Sequence, residues 1–148
     1  MIGKEVNDME EIKYIPGDLV KFKDKVQAIT NIDRQTSYRI EISMENGICV
    51  CKLEDIETHI SPIPLTSEIL KKNGWKKYIC ISKIWYSDEV FIGGDKDDEE
   101  SYTYFELYHE GNCWDIFQRD KLLRKGIKYV HQLQHLLFGL GLDSNLKV

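Results

Sequence analysis

The sequence predicts an α+β protein: an N-terminal SH3-like β-barrel, a proline-rich joint with a short helix, then an antiparallel sheet packed against one C-terminal helix. Three observations carry this. Residues 14–60 hold four or five short apolar runs broken by turn residues, with Glu45-Asn46-Gly47 between two alternating stretches. Pro62 and Pro64 then fix φ twice and remove backbone donors, so the segment is extended and is no inner strand. Finally, Val130, Leu133, Leu137 and Leu140 recur at helical spacing near the C-terminus.

In order, residues 1–13 are polar and acidic and read as a flexible tail. Pro16-Gly17-Asp18 makes a turn, and Leu19, Val20 and Phe22 begin a strand. Val26–Ile32 is a second strand, and Asn31–Ser37 is turn-like. Tyr38, Ile40, Ile42 and Met44 share one face of a third strand, with Arg39, Glu41 and Ser43 on the other. The Asn46-Gly47 step asks for a type I′ hairpin into Ile48–Leu53. Residues 54–57 suit one helical turn, and His59-Ile60 a last short strand. The lobe 14–60 therefore fits a small SH3-like barrel.

The joint spans 61–75. Thr66 or Ser67 caps a helix through Lys72, Asn73-Gly74 ends it in a left-handed cap, and Trp75 follows as an apolar anchor. In the lobe 76–148, Lys77–Tyr86 reads as one strand, Val90–Ile92 as another and 95–100 as an acidic loop. In Tyr102–Tyr108, Tyr102, Tyr104, Glu106 and Tyr108 face away from Thr103, Phe105 and Leu107. Glu110-Gly111-Asn112 turns into Cys113–Phe117. Lys121–Leu123 is a strand or a lead into the helix at 128–139, which Gly139 or Gly141 ends.

A formal charge of −5 over 148 residues lowers the expectation of nucleic-acid binding. Lys21, Lys23, Lys25 and Arg34 nevertheless make the barrel's start locally basic and keep a nucleic-acid reading as the alternative. No apolar run reaches membrane-spanning length and no secretion signal opens the chain, so a cytoplasmic protein without membrane association is expected. Cys49, Cys51, Cys80 and Cys113 contain no CxxC pair and read as reduced and mostly buried thiols.

No catalytic constellation is complete, so no enzyme, cofactor or metal is expected. His131 and His135 stand four apart on the helix and keep a metal-dependent enzyme as the third reading, but Gln132 occupies the place of the general-base glutamate of a zinc protease. Position six of a calcium loop begun at Asp95 is Glu100, where glycine is needed. The aromatics after the joint are the better signal, because Trp and Tyr combine wide contact area with one polar handle. Trp85, Trp114 and Phe105 suit a core. The candidate binding set is Trp75, Tyr86, Tyr104, Trp114, His131, His135 and Phe138. It points to a non-enzymatic adaptor with a protein partner, itself a monomer or weak homodimer.

Two segments, L-E-D-I-E leading through S-P-I-P-L-T-S-E-I-L-K-K-N-G-W and I-K-Y-V-H-Q-L-Q-H-L-L-F-G-L, resemble a family of small uncharacterised proteins of Bacteroides-type bacteria and their prophages and mobile elements. The resemblance spans about Pro16 to Gly141. It implies a bacterial or phage cytosolic setting and an intact two-lobe architecture, and it carries no functional residues across.

Overall fold

The computed structural model describes residues 13–78, 83–86, 90–91, 102–103, 105–118 and 120–148. These residues form an α+β protein with two five-stranded antiparallel sheets, a two-stranded ribbon and a C-terminal helix. The chain packs as two units: Met1–Ile63 with Leu133–Leu146, and Pro64–Gln132 with Lys147–Val148. No helix among the described residues is long and apolar enough to cross a membrane.

The first unit contains β1 (Leu19–Phe22), β2 (Lys25–Arg34), β3 (Arg39–Met44), β4 (Gly47–Lys52), a 3₁₀ turn at Leu53–Asp55, the one-turn α1 (Ile56–His59) and β5 (Ile60–Pro62). Strand order is β4-β3-β2-β1-β5. The expected barrel does not close: among the described residues the sheet is open, with β4 and β5 at its edges. β5 is three residues long and ends on Pro62, which lacks the donor a further ladder requires. The predicted alternation places Ile40, Ile42 and Met44 in the core with Val20, Phe22, Ile29, Cys49, Cys51 and Ile60. Tyr38, expected on that same face, precedes β3 and is 56% exposed.

The type I′ turn falls elsewhere than predicted. Glu45 and Asn46 join Met44 to Gly47 with negative φ, whereas Lys23 and Asp24, joining Phe22 to Lys25, have φ of 51° and 62°. Two central residues with positive φ are the mark of type I′. Gly47 instead serves a close approach: a Cβ there would lie 3.1 Å from the Phe22 ring. The left-handed conformation costs non-glycine residues about 1–2 kcal/mol each. Replacing Lys23-Asp24 by Asn-Gly therefore raises stability by about 0.5–1 kcal/mol, after loss of the Lys23 ammonium 5.2 Å above the Phe22 ring. The check is a higher urea midpoint at unchanged slope.

Cys49 and Cys51 project from one face of β4 into the core, their Sγ atoms 3.9 Å apart. Burial, then the neighbouring Cys51, pushes the Cys49 thiol from 9.0 up to about 11. Its folded value lies above its unfolded one, so its contribution to stability is full below pH 9.0 and is lost as pH climbs through about 11. Iodoacetamide at a mildly alkaline pH leaves both thiols of the folded protein unmodified, as mass spectrometric peptide mapping would read. Alkylation of Cys49 ahead of unfolding contradicts this.

The second unit begins with α2 (Ser67–Lys72). The Thr66 hydroxyl accepts from the Ile69 N–H, as predicted for the cap. Gly74, at φ 85°, ends the helix in a Schellman motif: the Trp75 N–H donates to Leu70 O, and the Gly74 N–H to Lys71 O. The sheet has the order β12-β11-β10-β7-β6, with β6 (Lys76–Lys77), β7 (Ile84–Tyr86), β10 (Phe105–Glu110), β11 (Cys113–Gln118) and β12 (Lys121–Ile127). β8 (Val90–Phe91) and β9 (Tyr102–Thr103) form the ribbon. The single strand expected over 77–86 is two, since β6 and β7 pair antiparallel. The predicted acidic loop at 95–100 and Tyr104 lie outside the described residues. Phe105, Leu107, Trp114, Ile116 and Ile127 fill the inner face.

α3 (Val130–Gly139) is stapled at both ends. The Gln132 side chain reaches back to accept from the Lys128 and Tyr129 N–H groups, half of a capping box. Gly141, at φ 73°, closes the other end, with the Leu142 N–H donating to Leu137 O. The sequence reading placed this helix on the C-terminal sheet, but from Leu133 onward it belongs to the first unit. The reason lies in its polar residues. Gln134 donates to Gly17 O and Ser144 O and accepts from the Leu19 N–H, and His135 reaches Asp18.

Candidate functional site

Among the described residues, two constellations gather chemistry-bearing side chains, and each lies within one unit. The first is the turn before β1. Gly17 takes φ 99°, and the Asp18 carboxylate accepts from the Ile15 N–H at 2.9 Å. His135 Nε2 stands 2.8 Å from both Asp18 oxygens. Asp18 is buried, and desolvation raises its carboxyl above the ordinary 3.8 although the Ile15 N–H and His135 pull it down. With Gln134 buried beside it, this cluster fastens a turn to a helix. The Asp18 carboxylate and the Gln134 amide are both committed to that task.

The second constellation is the outer face of the second sheet. Cross-strand register places Lys76, Tyr86, Glu106, Phe117 and Leu122 in one row across all five strands. The next row holds Ile84, Tyr108 and Asp115. Tyr78 joins them: its N–H donates to Ile84 O, its ring lies 4.6 Å from that of Tyr86, and its hydroxyl points to the Glu106 carboxylate at 3.4 Å. Tyr108 meets Phe117 edge to face at 5.1 Å. Tyr78 and Tyr108 are each 37% exposed and Leu122 47%, while Tyr86, Phe117 and Glu106 are half-buried. Desolvation, and then the Glu106 carboxylate, lifts the Tyr78 phenol above its ordinary 10.0, with Tyr86 and Tyr108 adding to the effect. Strand alternation builds this face directly, because Phe105 and Leu107 turn inward and so Glu106 and Tyr108 must turn outward.

Of the candidate residues, Tyr86 belongs to this face and Trp75 is buried behind the end of α2. Trp114 is buried too: its indole N–H donates to Leu65 O at 3.1 Å, and its ring stacks on His109 at 4.1 Å. His131 is buried and stacks on Tyr129 at 5.8 Å, while His135 holds Asp18, so the two histidines have different neighbours. Phe138 is 70% exposed. No group of three or more His, Cys, Asp and Glu side chains suited to a metal occurs among the described residues. Lys21, Lys23, Lys25 and Arg34 are exposed, but Asp24 and Asp33 are interleaved with them. Tyr78, Glu106, Tyr108, Phe117 and Leu122 are all outside the candidate set. Strand pairing between segments near and far in the chain brings the others together around Glu106, and no sequence spacing encodes it. No family model, curated protein or solved structure matches this chain.

Proposed function

We propose that this is a non-enzymatic adaptor that holds a protein partner on the outer face of its second sheet. The observation that carries the reading is the group of four aromatic rings, Tyr78, Tyr86, Tyr108 and Phe117, around the Glu106 carboxylate, with Tyr78 and Tyr108 left 37% exposed. Tyrosines on a rigid strand offer contact area at small entropic cost and keep a hydroxyl for hydrogen bonding. The first unit we read as an SH3-like support. The order β4-β3-β2-β1-β5, the irregularity in β2 between Ile29 and Asn31, and the 3₁₀ turn before β5 favour that reading. The thiols of Cys49, Cys51 and Cys113 are free, which suits a reducing, cytosolic setting.

The test is affinity capture from host lysate with the wild-type chain and with Tyr108→Ser, each before and after nuclease. A protein that survives nuclease and is lost with Tyr108→Ser supports the proposal. Partners that vanish with nuclease, or that ignore the substitution, refute it.

A further inference from the structure

The charges on the aromatic face narrow the kind of partner it fits. The central strands β7, β10 and β11 place Glu106, Glu110 and Asp115 on its positions and contribute no lysine or arginine anywhere along their length. Lys76 lies in the row itself, but at its end on the edge strand β6, and Lys125 stands on the other edge strand, β12. Asp115 is held in place by the Gly126 N–H, which donates to its Oδ1 at 2.9 Å. Glu106 sits at the middle of the row, half-buried, with Tyr86 on one side and Phe117 on the other.

A purely apolar partner laid over this row would strip water from Glu106 and return no opposite charge, which opposes binding. A phosphate backbone would meet carboxylates at the centre of the face. A cation meets both features at once, because tyrosine faces attract it through their quadrupoles and the carboxylate supplies the counter-charge. Arginine suits this best: its planar guanidinium stacks on a ring while its fork addresses a carboxylate.

We propose that the segment held on this face is a basic peptide, with an arginine or lysine side chain lying across Tyr78, Tyr86 and Tyr108 and pairing with Glu106. This rests on the reading of the face as the docking surface, and the test separates the two. A randomised peptide library is selected on the full chain and counter-selected on Tyr108→Ser. The survivors are synthesised and their affinities measured by fluorescence anisotropy at low and raised salt, for the wild type and for Glu106→Gln. The expected result is a set enriched in arginine or lysine, weakened about tenfold by Glu106→Gln and weakened by salt on the unaltered protein. Peptides that depend on Tyr108 but carry no basic residue, or that ignore both salt and Glu106→Gln, overturn the basic-peptide proposal and leave the docking face standing. If no selected peptide depends on Tyr108, both fall. Unchanged far-UV circular dichroism confirms that each variant is folded, and the salt series needs no variant at all.

Discussion

Replacing Trp114 by alanine lowers stability by about 3–5 kcal/mol. The indole is the largest fully buried side chain among the described residues, and it does two things. Its rings fill the inner face of the second sheet near Leu107, Ile116 and Ile127, and its N–H holds the Leu65 carbonyl of the proline-rich joint. Alanine leaves a cavity and also takes the donor from that carbonyl. Phenylalanine keeps most of the apolar volume and loses only the hydrogen bond, at about 1–2 kcal/mol. Urea denaturation of both variants is the check. An alanine variant within about 1 kcal/mol of wild type would show that the joint is not fastened through this residue.

Replacing Asp18 by alanine costs about 3 kcal/mol, the lower end of the range for breaking a buried pair, because His135 keeps some contact with water while the carboxylate is fully covered. The alanine removes the partner of His135 and the acceptor for the Ile15 N–H together. Asparagine can still accept from both, so Asp18→Asn loses about 1 kcal/mol. A double-mutant cycle with His135→Ala gives a coupling energy of about 0.5–3 kcal/mol. The pH dependence has a definite sign. The folded carboxyl lies above its unfolded 3.8 because desolvation outweighs its hydrogen bonds. The stability that this shift contributes is fully present below pH 3.8 and is lost as pH rises through the raised folded value. Asp18→Asn does not titrate, so the wild type's margin over it is widest in acid and narrows with rising pH. A margin that widened with rising pH would contradict the burial account.

Local structure was legible wherever a single segment determines it. Thr66 and Gly74 bracket α2 as predicted, and Gly141 closes α3. Alternation put Ile40 with Ile42, and Phe105 with Leu107, on shared faces, and all four are buried. What depended on distant partners was not legible. Asn46-Gly47 has the composition of a type I′ turn, yet the Phe22 ring from β1 claims the space beside Gly47, and the positive φ values fall on Lys23 and Asp24. Asp18 and His135 are 117 residues apart, so only the fold shows that the histidine of the H-Q-L-Q-H run serves the Gly17-Asp18 turn. Residues 77–86 alternate well enough to read as one strand, and their splitting into β6 and β7 is what brings Tyr78 over Tyr86 and Glu106. The candidate face could be half seen in the sequence, as Glu106 among tyrosines, and needed the register of four strand pairings to be completed.

The central claim, that the outer face of the second sheet is where a partner docks, is tested most directly by site-specific photocrosslinking in the native host. A photoreactive phenylalanine analogue replaces Tyr108 in one strain. In another it replaces Tyr38, which is 56% exposed in the first unit. The account predicts a discrete protein adduct from position 108 and none from position 38. An adduct from position 38 alone, or none from either, would contradict it.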